Sequence, residues 1–383
     1  MSMRVDTEPR HGEQPVTHAA APHACPGCLR SSWLLMELSA RLELRGRDLE
    51  RLLRLFELPD RELIYAVGGH DRKELLARHA EFDPLRVRRP HKIQTVCRHD
   101  ARHPLAHHET AGAPRALHLL GTLERFSSLL AEPVVVIAGT AFASDYGLQM
   151  ARSLARGLAA SGVTVASGLA TGIPAAAHVG ALDVDGPTFT VMAGGVDVCR
   201  PAGRRTLYER LGQTGCVLSE LPCGFAPRRW CDPMRSRLLV ALASMVIVVE
   251  ARARPHELAL AQMARAAGKI VAAVPGRVTS TASAGTHVLL MQGAELIRDP
   301  QDALDALYGV GVQQAPVAER KLGTGAQGVL EQLGLGRDTL PKLTAAGANR
   351  DETLLALAEL ELHGAAVRGD GGRYVPAHPI HDG

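Results

Sequence analysis

The chain reads Val163-Thr-Val-Ala-Ser-Gly-Leu-Ala-Thr-Gly172-Ile-Pro-Ala-Ala-Ala-His178-Val-Gly-Ala-Leu182 at its most informative point. The first residues are apolar and β-branched, a pattern that predicts a buried strand, and the alanine-rich second half predicts a helix. Pro174 fits the first turn of that helix. Small residues between a strand and a helix N-terminus suit phosphate binding, because the N–H groups there are unpaired and the helix dipole favours an anion. A tight turn that needs glycine for backbone reasons alone explains the same residues equally well.

The segment around this stretch repeats the alternation of strand and helix from Pro133 to about Leu307. Short, almost continuously apolar runs predict strands at Val134–Ala138, Val163–Ala166, Thr188–Met192, Cys216–Leu218, Met245–Val249 and Ile270–Val274. Such runs are typical of a parallel sheet that helices cover on both faces. The sequence therefore predicts an α/β fold whose core, over residues 115–308, is a Rossmann-like parallel sheet.

Glycines and small polar residues follow these strands repeatedly. Ligands of open α/β sheets bind at the carboxyl ends of the strands. We therefore expect the binding site to be lined by Gly139, Thr140, Ser167, Gly168, Thr171 and Gly172, with Gly194, Gly195, Glu220 and Gly276 as neighbours.

A basic insertion lies between the fourth and fifth predicted strands and reads Pro227-Arg-Arg-Trp-Cys-Asp-Pro-Met-Arg235-Ser-Arg237-Leu-Leu. Arginines at the mouth of an anion site are suited to neutralising a phosphate backbone. Arg204 and Arg277, which follow other strands, enlarge the same basic rim. The alternative is a solvated loop whose arginines pair with nearby acidic residues.

The remaining segments flank this core. Residues 1–22 are polar and predict a disordered leader. Residues 23–114 show helical periodicity, which predicts an N-terminal helical domain and a linker, and Ala116–Leu120 is expected to be an edge strand. Residues 309–325 are expected to form a second linker. Residues 326–376 predict a C-terminal winged-helix domain, for which the acidic residues of its last helix make a protein partner as suitable as DNA.

Cys25 and Cys28 have the spacing of metal ligands, and Cys97, His99 and His103 are suited to completing a zinc site. The later residues do not form a second CxxC pair, and two unpaired thiols ahead of a helix explain the first pair as well. The sequence alone therefore favours no metal and no cofactor, with zinc as the alternative.

Composition excludes several classes of protein. The chain has 383 residues, with 43 Lys+Arg against 40 Asp+Glu, so any nucleic-acid surface must be local. Aromatic residues make up 3%, which argues against modules that stack bases on aromatic platforms. A polar start, scattered cysteines and no long apolar segment predict a reduced, cytoplasmic protein without a membrane span. The predicted sheet core, residues 115–308, contains no GxGxxG, which disfavours a dinucleotide dehydrogenase, and the absence of GxxxxGK[ST] disfavours a P-loop ATPase.

Several motifs, in order, resemble the DNA-processing protein A family (DprA/Smf). They are Gly139-Thr-Ala141, Ser167-Gly-Leu-Ala-Thr-Gly-Ile-Pro-Ala-Ala-Ala-His178, Arg235-Ser-Arg-Leu-Leu239, Val249-Glu-Ala251, Ala273-Val-Pro-Gly276, Ser283-Ala-Gly285 and Gln292-Gly-Ala294. The resemblance covers residues 115–308. It implies a non-enzymatic protein that binds single-stranded DNA in natural transformation, helps load the RecA recombinase and works as a homodimer.

The sequence departs from the family pattern at polar positions expected to face the ligand. Family arginines are replaced by Ala141, Thr171 and Met234, an aspartate by Pro174, an asparagine by Ser236, and a Ser-Gly-Ser by Pro255-His256-Glu257. Each lost arginine removes one potential phosphate contact. The chain is therefore identified as a divergent member in which DNA binding is weakened or redirected.

Two other functions remain open. A nucleotide-binding or phosphoribohydrolase-like enzyme has a related fold, and Glu220 and Glu250 supply carboxylates at strand ends. However, the loop Ala193-Gly-Gly-Val-Asp197 lacks the Gly-Thr pair of that enzyme class, and His178 suits packing better than catalysis, so we expect no enzyme. A transcription regulator acting through the winged helix needs a basic recognition surface, and the acidic one disfavours it.

Overall fold

The computed structural model describes residues 24–45, 49–84, 92–105, 114–309, 322–345, 348–362 and 365–376. The predicted leader, residues 1–22, lies outside these ranges, and so does most of the predicted linker, residues 310–321.

A nine-stranded sheet forms the centre of the described chain, in the order β1-β2-β6-β5-β4-β3-β7-β8-β9. The strands are β1 Ile93–Cys97, β2 Ala116–Leu120, β3 Val134–Ala138, β4 Thr164–Gly168, β5 Thr188–Val191, β6 Cys216–Ser219, β7 Met245–Val248, β8 Ile270–Ala273 and β9 Glu295–Leu296. Every pairing from β6 to β9 is parallel, so the mostly parallel sheet of the prediction is confirmed. The chain runs outward from β3 to β6 and then returns to add β7 on the other side of β3, which makes the β3/β7 junction the switch point of the sheet.

The expected edge strand is wrong in its position. Ala116–Leu120 pairs antiparallel with β6 on one side and with β1 on the other, and its first four residues are buried. The strand at this edge is Ile93–Cys97, which lies within the predicted N-terminal domain. The apolar pattern of a strand predicts whether it is buried, but not which strands it pairs with. The pairing of Ala116–Leu120 with an outer strand was therefore not predicted from the sequence.

Helices cover both faces of the sheet. They are α6 Leu123–Leu129, α7 Asp145–Ala160, α8 Ile173–Leu182, α9 Arg205–Thr214, α10 Cys231–Leu242, α11 Pro255–Ala266, α12 Ala284–Met291 and α13 Pro300–Tyr308. Successive side chains of a strand point to opposite faces. In β3, Val134 and Val136 accordingly join the core beneath α10 and α11, while Val135 and Ile137 join the core beneath α7 and α8.

The basic insertion is not a loop throughout, because its second half forms α10. Trp230 precedes this helix, and Met234 and Leu238 on the helix are buried with it. Burial of these apolar side chains requires the backbone polar groups to be paired, and a helix satisfies that requirement within the segment. Arg235 and Arg237 are therefore carried on a packed helix rather than on a solvated loop, whereas Arg228 and Arg229 precede the helix.

The N-terminal region supplies the cover over this helix. Its helices are α1 Pro26–Glu37, α2 Ser39–Arg45, α3 Leu49–Glu57, α4 Asp60–Val67 and α5 Arg72–Glu81. Leu34 and Leu52 of these helices, and Leu38 between α1 and α2, pack in one cluster with Trp230 and Met234. The indole N–H of Trp230 donates to the carbonyl oxygen of Ser39 at 3.2 Å, so α10 is held from both sides.

The C-terminal region has a core of its own. It consists of α14 Thr324–Gly334, α15 Leu340–Thr344, α16 Arg350–Leu362 and the antiparallel strands β10 Ala366–Arg368 and β11 Tyr374–Pro376. Ala356, Leu357 and Leu360 of α16 are buried, whereas Leu355 is 72% exposed. Helix α16 therefore also carries an apolar residue on its outer face. Among the described helices, none combines the length and the apolar character that crossing a bilayer requires.

Candidate nucleic-acid interface

Two of the predicted loops meet at the carboxyl edge of the sheet. The Thr140 N–H donates to the Glu250 carbonyl oxygen at 2.8 Å, which ties the end of β3 to the end of β7. The Thr140 carbonyl oxygen accepts the Ile173 N–H at 3.2 Å, and the Thr171 hydroxyl donates to the Ala141 carbonyl oxygen at 3.0 Å. The structure thus brings together four predicted site residues, Gly139, Thr140, Thr171 and Gly172.

The two glycines of this cluster have backbone reasons for being glycine. Gly172 has a φ of +70°, and a Cβ there would lie 2.4 Å from the Thr140 carbonyl oxygen. A Cβ on Gly139 would lie 2.7 Å from both the Glu250 carbonyl oxygen and the Ile173 side chain. Close backbone approach therefore accounts for both residues without a ligand.

The helix N-termini at this edge already hold acceptors of the protein itself. In α8 the Ile173 N–H is bonded to Thr140, and Pro174 has no N–H to offer. In α7 the buried Glu250 carboxylate accepts the Ser144 N–H at 2.9 Å and the Ser144 hydroxyl, whose oxygen caps the Gly147 N–H. An anion at this edge must therefore rely on arginine side chains more than on helix dipoles.

Arg235 is the arginine that reaches the strand ends. Its guanidinium lies over Gly168, at the end of β4, where an added Cβ would come within 3.3 Å of Cζ. The side chain is 24% exposed and its Nη1 lies 3.2 Å from Asp232, whose carboxylate is mostly in solvent. The Ser167 hydroxyl, also predicted for the site, is buried and donates to the Ile137 carbonyl oxygen at 2.6 Å, which fixes it to the sheet.

A shallow cleft opens beside Arg235. Its wall includes the Ala193-Gly194 turn after β5, Pro227 and the exposed Arg200. Sequence reasoning missed Arg200, although a basic residue shortly after a glycine pair at a strand end was the available signal. The cleft presents two guanidinium groups of one sign over small residues, which suits an elongated anion.

Arg237 lies two residues after Arg235 but faces another part of the molecule. Residues two apart on a helix are about 200° apart around its axis. Arg237 forms an ion pair with Glu220, and the two side chains are 10% and 9% exposed. Burial raises the pKa of the Glu220 carboxyl, and the Arg237 charge and hydrogen bond oppose that rise. Arg237 is thus engaged by an acidic residue inside the protein.

The last two predicted arginines lie apart from these contacts. Arg204 ends a short 3₁₀ turn at Ala202–Arg204 after β5, and Arg277 is exposed after β8. Both follow strands at the carboxyl edge, as predicted. The hydrogen bonds and close contacts described above include neither of them.

Phe142 is an aromatic residue at this edge that the sequence reasoning missed. Its side chain is 83% exposed, and its N–H donates to the Thr140 hydroxyl oxygen at 3.1 Å. The apolar face of this ring is in contact with water, and an unpaired base can stack on it. The low aromatic content of the whole chain argued against base stacking, so Phe142 was not considered as a site residue.

The three candidate catalytic residues each form hydrogen bonds or ion pairs with other groups of the protein. The Glu250 carboxylate holds Ser144, and Glu220 holds Arg237, as described above. His178 is fully buried, with Nδ1 2.9 Å from the Thr188 hydroxyl oxygen, and burial lowers its pKa to about 4. The packing role expected for His178 therefore agrees with its contacts.

Comparison with known proteins places this architecture among DNA-processing proteins. Residues 94–308 match the family model described as DNA recombination-mediator protein A. The putative DNA processing protein DprA of Mycobacterium tuberculosis is 40% identical over 249 residues, which are 63% of this chain and 64% of that protein. The chain thus matches just under two thirds of the length of that relative.

A second relative is known both as a sequence and as a structure. The DNA processing protein DprA of Streptococcus pneumoniae is 35% identical over 196 residues, covering 51% of this chain and 68% of that protein. The X-ray structure of DprA from the same species superposes with a TM-score of 0.59 and 28% identity, over 73% of this chain and 96% of that one.

Proposed function

The chain belongs to the DNA recombination-mediator protein A family, and we propose that it binds single-stranded DNA along the carboxyl edge of its sheet. The observation that carries this proposal is the Arg235 guanidinium lying over Gly168, beside a cleft that also presents Arg200. Guanidinium groups pair with phosphate oxygens in a bidentate manner, and the missing side chain of Gly168 lets this guanidinium lie close to the end of β4. Arg204 and Arg277 extend the same positive edge.

The preference for single strands follows from Phe142. Bases in a duplex are stacked on each other, so a protein ring gains a stacking partner only from an unpaired base. Phe142 is exposed in the loop that also carries Gly139 and Thr140. We propose that phosphates contact Arg235 while a base stacks on Phe142.

The role within the cell is proposed from the family. We infer that the protein processes incoming DNA in natural transformation, helps load the RecA recombinase onto the bound strand and acts as a homodimer. We propose that it does so without catalysis, because Glu220, Glu250 and His178 are all engaged by neighbouring residues.

We propose that the C-terminal region is a winged helix that contacts a protein partner. Three helices and a two-stranded hairpin share one core, which agrees with that fold. The outer side of α16 presents exposed Leu355 with acidic neighbours such as Glu352. Negative charge repels a phosphate backbone, whereas an exposed leucine suits a protein surface.

The test is a salt titration of binding to fluorescent single-stranded and double-stranded oligonucleotides of the same sequence. We expect tighter binding to the single strand and a linear loss of log affinity with log salt concentration. Equal affinity for the two forms, or no binding at low salt, would contradict the proposal.

A further inference from the structure

Four potential metal ligands that are distant in sequence converge between the N-terminal helices and the sheet. Cys25 and Cys28 lie at the start of α1, and Cys97 and His99 lie at the end of β1 and just beyond it. One ligand atom from each lies within 4.8 Å of every other. The sequence alone favoured two unpaired thiols at the first pair, and these contacts change that interpretation.

The separations match a tetrahedral zinc ion. Zinc lies about 2.3 Å from sulfur and about 2.0–2.1 Å from nitrogen, so tetrahedral angles place sulfur and nitrogen about 3.6 Å apart. The His99 Nδ1 lies 3.4 Å from the Cys25 Sγ, 3.4 Å from the Cys28 Sγ and 3.9 Å from the Cys97 Sγ. The distances from the three sulfurs to the imidazole nitrogen are thus close to those expected when all four atoms bind one ion.

Backbone N–H groups donate to two of the three sulfurs, those of Cys25 and Cys97. The Cys25 N–H donates to the Cys97 Sγ at 3.3 Å, and the Cys28 N–H donates to the Cys25 Sγ at 3.5 Å. Cys25 is the N-cap of α1, and its sulfur lies where the helix dipole favours negative charge. N–H donors and a helix N-terminus stabilise thiolates, which is the form of cysteine that binds metal.

The loop after β1 presents the fourth ligand. The Asp100 N–H donates to the Cys97 carbonyl oxygen at 2.9 Å, which closes a turn that carries His99. His99 is exposed whereas Cys28 and Cys97 are buried, so the cluster is open to solvent on the imidazole side. His103, the other histidine considered from the sequence, is buried and accepts the Leu105 N–H at its own Nδ1, and it lies outside the cluster.

We propose that Cys25, Cys28, Cys97 and His99 bind one zinc ion in a structural site with four protein ligands. Four protein ligands leave no open position for water or substrate, which is the arrangement of structural rather than catalytic zinc. The ion would join the start of α1 to the outer strand β1, across more than seventy residues of chain. It would thereby fix the N-terminal helices, and with them α10, against the sheet.

The first experiment measures metal in the full chain, produced in zinc-containing medium and purified without chelators. We expect about one zinc per chain by mass spectrometry of the metal content. Cys28→Ser and His99→Ala should lose most of the zinc. Cys199→Ser, which alters a cysteine outside the cluster, should retain it and serves as the control.

The second experiment does not depend on the stability of these variants. Cobalt(II) added to the metal-stripped wild-type chain should give the strong visible bands of tetrahedral cobalt together with sulfur-to-cobalt charge transfer. His99→Cys should keep the metal and intensify the charge transfer, because four cysteines also form a structural site.

The proposal would be overturned by any of three results. These are a wild-type chain that holds no zinc and gives no tetrahedral cobalt spectrum, equal zinc in the wild type and in His99→Ala, or a disulfide among the three cysteines, detected as resistance to alkylation that persists in denaturant with a chelator and disappears on reduction. DNA affinity is not the readout, so failure here leaves the proposed DNA binding untouched.

Discussion

The surroundings of Arg235 and of Arg237 differ although both residues come from one short basic motif on one helix. Arg235 lies over Gly168 beside an open cleft, and its ion-pair partner among the described residues is the exposed Asp232. Arg237 is buried against Glu220. The comparison teaches that a basic motif is not a uniform patch, because the helix sends alternate side chains to the ligand edge and to the interior. We expect the first arginine to govern DNA affinity and the second to govern stability.

The largest effect is expected from Arg237→Ala. Removing the arginine leaves the Glu220 carboxylate buried without a partner, which should lower the free energy of unfolding by about 3–5 kcal/mol. Denaturant unfolding of the full chain measures this change. Arg229→Ala, at a side chain that is 91% exposed, is the control and should change stability by less than about 0.5 kcal/mol. Equal stability of the two variants would remove the distinction between Arg235 and Arg237.

The pH dependence of Arg237→Ala sharpens this prediction. Burial already raises the pKa of Glu220 above its ordinary value of 4.5, and the Arg237 charge and hydrogen bond limit that rise. Without Arg237, the pKa of Glu220 should rise further. A folded state that holds the proton more tightly than the unfolded state is most stable below the ordinary pKa and loses that contribution as pH rises. The deficit of the variant relative to wild type should therefore shrink as the pH is lowered toward 4.5. A deficit that is independent of pH would assign it to lost packing instead.

The next largest effect is expected from Phe142→Ala on DNA affinity. Loss of one stacked base should cost about 1–3 kcal/mol of binding free energy. Stacking carries no net charge, so the salt dependence should stay unchanged. Phe142→Trp keeps an aromatic face and is the matched control. The idea fails if alanine and tryptophan bind equally well.

A smaller loss is expected from Arg235→Ala. Removing one phosphate contact should weaken single-strand binding roughly tenfold and reduce the slope of log affinity against log salt by about 0.7. Arg265→Ala, an exposed arginine on α11 at the opposite edge of the sheet, is the control. Fluorescence anisotropy over a salt series measures both quantities. An unchanged slope in Arg235→Ala would show that the cleft does not hold phosphate.

The smallest effect is a gain from Thr171→Arg. Thr171 is exposed and stands where the family pattern has arginine, so the substitution should add one phosphate contact and raise the salt slope by about 0.7. The change also removes the hydroxyl bond to Ala141. Thr171→Ala removes that bond without adding charge and separates the two effects. Identical affinities of the alanine and arginine variants would mean that no strand passes this loop.

The sequence predicted most of the sheet because burial leaves a local record. The apolar runs at Val134–Ala138 and at Met245–Val249 are typical of strands in a parallel sheet that is covered on both faces. Each forms a strand within one residue of its predicted bounds. The outer strand Ile93–Cys97 left a weaker record, because Gln94 and Thr95 interrupt its apolar pattern.

The family, the strand positions and the types of residue at the carboxyl edge can be read from the sequence, since each of these depends on residues near one another in the chain. Tertiary structure alone decided which groups remain available there. It paired the N–H groups of Ile173, Ser144 and Gly147 with acceptors on Thr140, Glu250 and Ser144, and it buried Arg237 against Glu220. It also brought Cys25 to Cys97 across 72 positions. The physical reason is that hydrogen bonds, ion pairs and metal ligands form between neighbours in space, and only the folded chain specifies those neighbours.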